Sequence, residues 1–536
     1  MPEQGLTALE SICRRLNQSR NPLERQAIYK GLSYHQGFPV LLDTNLLFEH
    51  MHVVGPPGTG KTSLGLQTDV IQLIHRNDGA VVVFDCKGDP GFFQSVRHAA
   101  KRAGRVFKWF TNKPYRSTYV FNPWDQRLLR RLTLPDILGL FTQSLNLHHG
   151  EDYGRAWFAI LARTLLRRGI LETVPSEHQC NPADGDEQRR LFPKRDPIHS
   201  FLDLNDLLKS LADDQEELRA ARHLCFVVES LTDFVQLNMA PNRAAQGPAL
   251  DNAIFMPDVV RDKQVIYFYL VGAMDVASVA EIAKLALYSL LMAVIAYHDE
   301  HGDPPRVYSV WDEAQVMIAK NIENVLAQAR SHGLACILAH QSMSQLNPPG
   351  GVDLRELVMS CTVVKQVFGA RDPWLLKYIS STSGTTKYFR QSYNVAAADA
   401  VAGTVGAHRT CMDRDGTARV NIAEYTGPRL TFQDVLDASQ HPNLSLLWTA
   451  RKEGLTQFEG WFPVHTDWPV SRRQHDEFRR QPWPAHTEAT TEMSSIWPAE
   501  TQETVTATTH PPIAPEEAQV RVSANLRELQ KQLLNR

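Results

Sequence analysis

Apolar positions along the chain fall into short, nearly unbroken runs separated by stretches that repeat every three to four residues. The runs are His52–Val54, Ala80–Phe84 (AVVVF), Gln264–Leu270, Val307–Trp311, Ala335–Ala339 and Thr362–Phe368. They do not alternate with polar residues, which is how strands buried on both faces read. Helical spacing lies between them, most clearly over Val276–Tyr297 and Asn321–Arg330. Strand, glycine-rich loop, helix, strand over residues 52–84 is the βαβ unit of a parallel sheet. The pattern predicts an α/β domain with a mostly parallel sheet.

Residues 131–245 carry almost no strand signal and several amphipathic helical patterns, predicting an all-α domain inserted into the α/β one. In DYGRAWFAILARTLLRRGI, Trp157, Ile160, Leu161, Leu165 and Leu166 make one apolar face, with Arg155, Arg163, Arg167 and Arg168 mostly off it. The polar stretch Pro175–Pro197 reads as a loop. The α/β domain then comprises residues 36–130 and 246–480, behind a helical lead-in at 1–35. Residues 481–515 are rich in Thr, Pro and Glu and read as a disordered acidic linker. Residues 516–536 predict an amphipathic helix, with Val522, Leu526, Leu529 and Leu533 on one face. That helix suits either folding back on the chain or docking into a partner's groove.

The most apolar long stretch, Leu285–Tyr297, has 13 residues, fewer than the roughly 20 needed to cross a bilayer. The N-terminal MPEQGLTALESICRRLNQ lacks the apolar core of a signal peptide. Both readings predict a chain without a membrane span, and the apolar stretch reads as a buried helix. Composition narrows the functional classes. Across 536 residues, 56 Lys and Arg face 59 Asp and Glu, a net charge of -3. That excludes a globally basic nucleic-acid binder, so any DNA contact must come from a local basic surface. The seven cysteines are scattered, odd in number and never in a CxxC spacing, which supports neither a disulfide framework nor a zinc site.

The strongest chemical signal is Gly55-Pro56-Pro57-Gly58-Thr59-Gly60-Lys61-Thr62, with Ser63 following: a complete GxxxxGK[ST] loop between a strand and a helix. Its glycines let the backbone curl so that N–H groups face nucleotide phosphates. Lys61 neutralises β/γ charge and Thr62 offers a hydroxyl to Mg²⁺. Val307–Glu313 (VYSVWDE) is an apolar strand ending in two acids. Asp312 would hold the Mg²⁺ water shell and Glu313 would polarise the attacking water. One strand further, ILAHQ ends in Gln341, a carboxamide able to touch both a γ-phosphate and a moving loop. His340 reads as a structural strand-end residue. Arg330, where a helix gives way to a turn, is either solvated charge or a residue that reaches a neighbouring subunit's γ-phosphate. Asp85 and Lys87, in FDCKGDP, end a strand on the same carboxyl edge, where ligands of open α/β sheets bind. They either form a structural ion pair or line the nucleotide and DNA path. Basic clusters at Lys101-Arg102 with Arg105, at Arg127 with Arg130-Arg131, at Arg167-Arg168, and at Arg472-Arg473 with Arg479-Arg480 are solvated faces or phosphate contacts.

Three segments taken together, VVVFDCKGDPG at 81–91, VWDEAQ at 310–315 and ARSHGLACILAHQSMSQL at 329–346, resemble type IV coupling proteins. These are conjugative DNA-transfer ATPases of the FtsK–HerA class, and the resemblance spans roughly residues 35–475. It implies a RecA-like P-loop motor that uses ATP and Mg²⁺ and assembles as a homo-hexamer around a DNA pore. It assigns Lys61 and Thr62 to the nucleotide, Asp312 and Glu313 to catalysis, Gln341 to sensing and Arg330 to a trans-acting finger. The implied partners are single-stranded DNA held without sequence preference, relaxase and relaxosome proteins facing the all-α domain, and a membrane or secretion-channel protein. The chain departs from the family pattern in lacking N-terminal transmembrane helices. The implied place is therefore the cytoplasm, or the inner membrane periphery through a partner. The implied function is delivery of relaxase-bound single-stranded DNA to a type IV secretion channel. Two other roles suit the same motifs: a HerA-like DNA pump in repair, packaging or defence, and a nucleotide-switched substrate receptor.

Overall fold

Strands that are apolar on both faces need cover on both faces, and the chain supplies it from two sets of helices. The computed structural model describes residues 8–114, 116–145, 147, 156–173, 195–211, 221–239, 253–272, 276–318, 322–347, 352–393, 420–441 and 443–485. The linker from residue 486, the C-terminal helix expected at 516–536, and most of the polar loop at 175–197 lie outside the described residues. The strands are β1 (Ala27–Ser33), β2 (Pro39–Asp43), β3 (Met51–Val54), β4 (Ala80–Asp85), β5 (Phe107–Thr111), β6 (Val265–Tyr269), β7 (Val307–Asp312), β8 (Leu334–His340), β9 (Val364–Phe368), β10 (Thr385–Tyr393), β11 (Val420–Pro428), β12 (Leu444–Thr449) and β13 (Gly460–His465). All but β10 and β11 form one eleven-stranded sheet in the order β2-β1-β13-β12-β9-β3-β8-β7-β4-β6-β5. From β9 to β5 the neighbours are parallel. β12, β13, β1 and β2 extend the sheet as an antiparallel wing.

The period of two explains the cover. Val82 and Phe84 of β4 pack on one face with Phe268, Trp311 and Leu338. Val81 and Val83 pack on the other with Tyr267, Val310 and Ile337. The α/β class, its mostly parallel sheet and its all-α insertion are as the sequence predicts. The insertion contributes helices Leu134–Ser144, Ala156–Thr173, Phe201–Leu211 and Arg222–Thr232. Trp124 of the α/β domain stacks on its Phe141 at 3.8 Å, edge-on to Phe201. The expected apolar face of Ala156–Thr173 is rotated: Ile160 is half exposed, and Ala159, Ala162, Leu165, Leu166 and Ile170 are buried.

Three expectations need correction. The lead-in is not helical throughout, since helices Ala8–Asn17 and Pro22–Arg25 give way to β1. Lys30 and Gly31 hide that strand. Lys30 is buried against Asp69 at 2.7 Å, and a Cβ on Gly31 (φ +133°) would lie 2.2 Å from the His465 carbonyl oxygen. The apolar run at 285–297 is part of a 26-residue helix, Val276–His301, which is long and apolar enough to cross a membrane. Its Ile282, Leu285, Leu290 and Val294 are fully buried beneath the sheet and the insertion, so core burial accounts for its apolarity. Finally, Arg105 does not belong to a solvated cluster. It is buried and donates to the carbonyls of Leu73, Ile74, Gly79 and Lys263, tying the last turn of a helix to two loops.

Candidate nucleotide site

The P-loop leaves β3 at the carboxyl edge of the sheet. Gly58 and Gly60 take φ of +79° and +92°, the left-handed backbone that favours glycine. Gly55 is needed for closeness instead, as a Cβ there would come within 3.0 Å of Phe368. Lys61 then begins a π-helical turn, Lys61–Leu66, that leads into the helix Gln67–Arg76. First-turn N–H groups have no acceptor within their own helix, so residues 61–63 present donors to an anion.

Parallel pairing brings the ends of β3, β8 and β7 together, and with them the residues singled out in sequence. Lys61 Nζ lies 3.3 Å from Asp312 Oδ1 and 3.4 Å from Glu313 Oε1. The Thr62 hydroxyl donates to Asp312 Oδ2 at 3.0 Å. Gln341 Nε2 donates to both Glu313 oxygens, at 2.9 and 3.0 Å, and Gln315 Nε2 adds a third bond at 2.9 Å. Glu313 itself has φ +59° and ψ +50°, a left-handed backbone rare for a side-chain-bearing residue. Such conformations persist where the surroundings over-determine them, and here three side chains hold one carboxylate. Burial alone would raise its pKa. The charge of Lys61 and the donors of Gln315, Gln341 and Lys61 outweigh that, and the net shift is downward. Glu313 is kept ionised.

Asp85 ends β4 directly beside Asp312 of β7. Burial, reinforced by the Asp312 charge, pushes its carboxyl up to about 7. It accepts the backbone N–H groups of Lys87, Gly88 and Asp89 and the Tyr267 hydroxyl, so it fixes the loop that carries Lys87. Lys87 is exposed and lines the nucleotide cleft. Of the two readings open in sequence, Lys87 takes the lining one, and Asp85 acts through the backbone. His340 is buried, 2.5 Å from His52 across β3 and β8, in keeping with a structural role.

Arg330 stands apart from this group. It closes the helix Ile322–Ser331 that precedes β8, at the sheet edge opposite Gln341, and pairs with Glu49 at 3.0 Å. Glu49 also holds Arg451. The cleft, of about 540 Å³, is lined by residues 56–64, Lys87, Glu313 and Gln341, and also by Arg371, Asn443, Trp468 and His475. That volume suits a nucleotide-sized ligand. Sequence reasoning missed the last four. Arg371 follows the β9 run, and the strand-end rule that flagged Lys87 would have found it. Trp468 and His475 lie in no motif. The Thr62 hydroxyl and the Asp312 carboxylate fit Mg²⁺, which takes few protein ligands and completes its shell with water and phosphate oxygens.

Residues 306–410 match the family model described as the TraM recognition site of TraD and TraG. The matched segment contains Asp312, Glu313, Arg330 and Gln341. No curated protein matches the chain in sequence. Among solved structures, the unbound bacterial conjugative coupling protein TrwBdeltaN70 aligns over 89% of this chain and 94% of its own, with a TM-score of 0.52 and 14% identity. The plasmid coupling protein TrwB in complex with the ATP analogue ADPNP aligns over 90% and 96%, with a TM-score of 0.52 and 14% identity. TrwB in complex with ADP and Mg²⁺ aligns over 88% and 93%, at 0.51 and 14%. At that identity the likeness is one of fold. The resemblance to type IV coupling proteins is thus borne out by the family-model match over residues 306–410 and by a fold shared with a conjugative coupling protein.

Proposed function

We propose that this chain is an ATP-driven DNA translocase of the coupling-protein type, working as a hexamer to pass relaxase-bound single-stranded DNA to a type IV secretion channel. The observation that carries the reading is the convergence of Lys61, Thr62, Asp312, Glu313 and Gln341 at one end of one cleft. Without ligand, Lys61 satisfies both acids. The β- and γ-phosphates would draw Lys61 to themselves and leave Glu313 ionised, oriented by Gln315 and Gln341, to accept a proton from the attacking water. Mg²⁺, held by Thr62 and Asp312, would neutralise charge building on the phosphate oxygens. Gln341 bonds Glu313 directly, and its backbone N–H is held by Gln345. Loss of the γ-phosphate would therefore be felt in the loop that follows β8. A trans role for Arg330 is consistent with its place at the opposite sheet edge, where it cannot serve its own site. TrwB binds ADPNP in one of the structures above, and the TraD and TraG match supports a relaxosome contact.

DNA affinity in a chain of net charge -3 must come from a local patch in the assembled ring. Arg130, Arg167, Arg472, Arg473, Arg479 and Arg480 are exposed and available for it. The test is ATP turnover with and without single-stranded DNA, paired with binding over a salt series. Turnover should rise with DNA, and log affinity should fall against log salt with a slope near -0.7 per neutralised phosphate. Turnover indifferent to DNA, with salt-insensitive binding, would overturn the translocase reading.

A further inference from the structure

The cleft has two ends, and the residues above account for one. Glu313 and Gln341 sit at the ends of β7 and β8, on one side of the P-loop strand β3. A γ-phosphate must lie against them. On the other side of β3 come β9, β12 and β13, whose carboxyl-edge loops supply Gly369, Asn443 and Trp468 to the cleft wall. A nucleotide threaded through the P-loop with its γ-phosphate at Glu313 sends its ribose and base towards that wall.

Trp468 is 48% exposed there, and its indole has no ring partner or hydrogen bond among the described residues. Its backbone is nevertheless fixed. The Tyr29 hydroxyl donates to Asp467 Oδ2 at 2.7 Å, and the Thr466 N–H and hydroxyl donate to the Asn443 carbonyl at 2.8 and 2.7 Å. Pro469 and Val470 on its other side are buried. An apolar ring held open by anchored neighbours loses little freedom when a ligand covers it. His475, one helical turn into the helix Arg472–Arg480, also lines the cleft, with its Cε1 side packed close to Gly91. The segment is tied down beyond the cleft too: Phe478 packs on His98, and Trp483 stacks on Phe93 at 4.5 Å.

We propose that Trp468 is the stacking platform for the nucleobase, so that residues 466–485 form a strap that closes the base end of the nucleotide site. The inference rests on the ATP-binding reading and adds its base-recognition side. Stacking engages the face of a base and ignores the phosphates, so a ligand without a base separates the two ends. The affinities of ATP and of inorganic tripolyphosphate, each with Mg²⁺, are measured by calorimetry for the full chain, Trp468→Ala and Trp468→Phe. Trp468→Ala should weaken ATP by about 5- to 150-fold, the range of one base–aromatic stack. Tripolyphosphate should bind it as it binds the parent, and Trp468→Phe should keep most of the ATP affinity. Equal ATP affinity in Trp468→Ala and the parent would overturn the inference. So would a parallel loss of tripolyphosphate, which would mean a damaged site and not a lost base contact. A parent that binds neither ligand would overturn the ATP reading and the inference together.

Discussion

At the β7–β8 end of the cleft every charge already has a partner, whereas on the β9–β13 side Arg371 and Trp468 have none among the described residues. The first end is a closed network of one ammonium, two carboxylates and two carboxamides. The second consists of side chains on anchored backbone that face an open cleft. The difference separates two tasks. Groups that stabilise developing charge work best when fixed before substrate arrives, and the bonds from Gln315 and Gln341 fix Glu313 in that way. Groups that bind by contact need only a rigid backbone and a free face.

The largest break in this comparison concerns a cation that neither end contains. If Arg330 completes the phosphate end of a neighbour's cleft, Arg330→Ala should lower ATP turnover by about 10³ to 10⁵. Mixing Arg330→Ala with Glu313→Gln subunits should then restore part of the rate, because some mixed interfaces carry both groups. Steady-state turnover of the mixture checks this, and no recovery at any ratio would assign Arg330 to its bond with Glu49.

A smaller effect sharpens the contrast between charges that serve a ligand and one that does not. Lys365 of β9 is buried over the Trp448 ring at 3.8 Å, donates to the Thr362 carbonyl, and lines no part of the cleft. Burial pushes its ammonium down to about 7, against roughly 10.4 in an unfolded chain. Between those values the unfolded chain holds a proton that the folded chain has released, so stability rises with pH across that window. Lys365→Met should therefore raise Tm most at or below pH 7, with the gain shrinking towards pH 10. Paired melting curves at pH 7 and pH 9.5 read the difference, and an unchanging gap would contradict a depressed Lys365.

What could be read in advance follows the same division. The parallel strands β3, β4, β7, β8 and β9 were legible because burial on both faces writes them as unbroken apolar runs. The phosphate end was legible because its chemistry demands fixed residue types at fixed spacing, as at 55–62 and at 312–313. The antiparallel wing was not. β13 is half exposed along its length, and β1 carries a buried Lys30 whose partner, Asp69, is known only from the fold. β10 and β11 pair as a separate two-stranded ribbon with Phe389 and Tyr425 exposed, a pattern without one buried face to read. Arg105 looked like surface charge for the opposite reason: the carbonyls that it ties are distant in sequence. Trp468 and His475 belong to this class too, since three-dimensional closure of the wing alone brings them to the P-loop.

The central proposal is that Glu313, oriented by Gln315 and Gln341, is the group that activates water at a hydrolytic site. Its most direct test is Glu313→Gln, which keeps the shape and removes the base. Turnover at saturating ATP with Mg²⁺ should fall by about 10² to 10⁴ while ATP is still bound with close to parental affinity. Turnover equal to the parent's would contradict the claim.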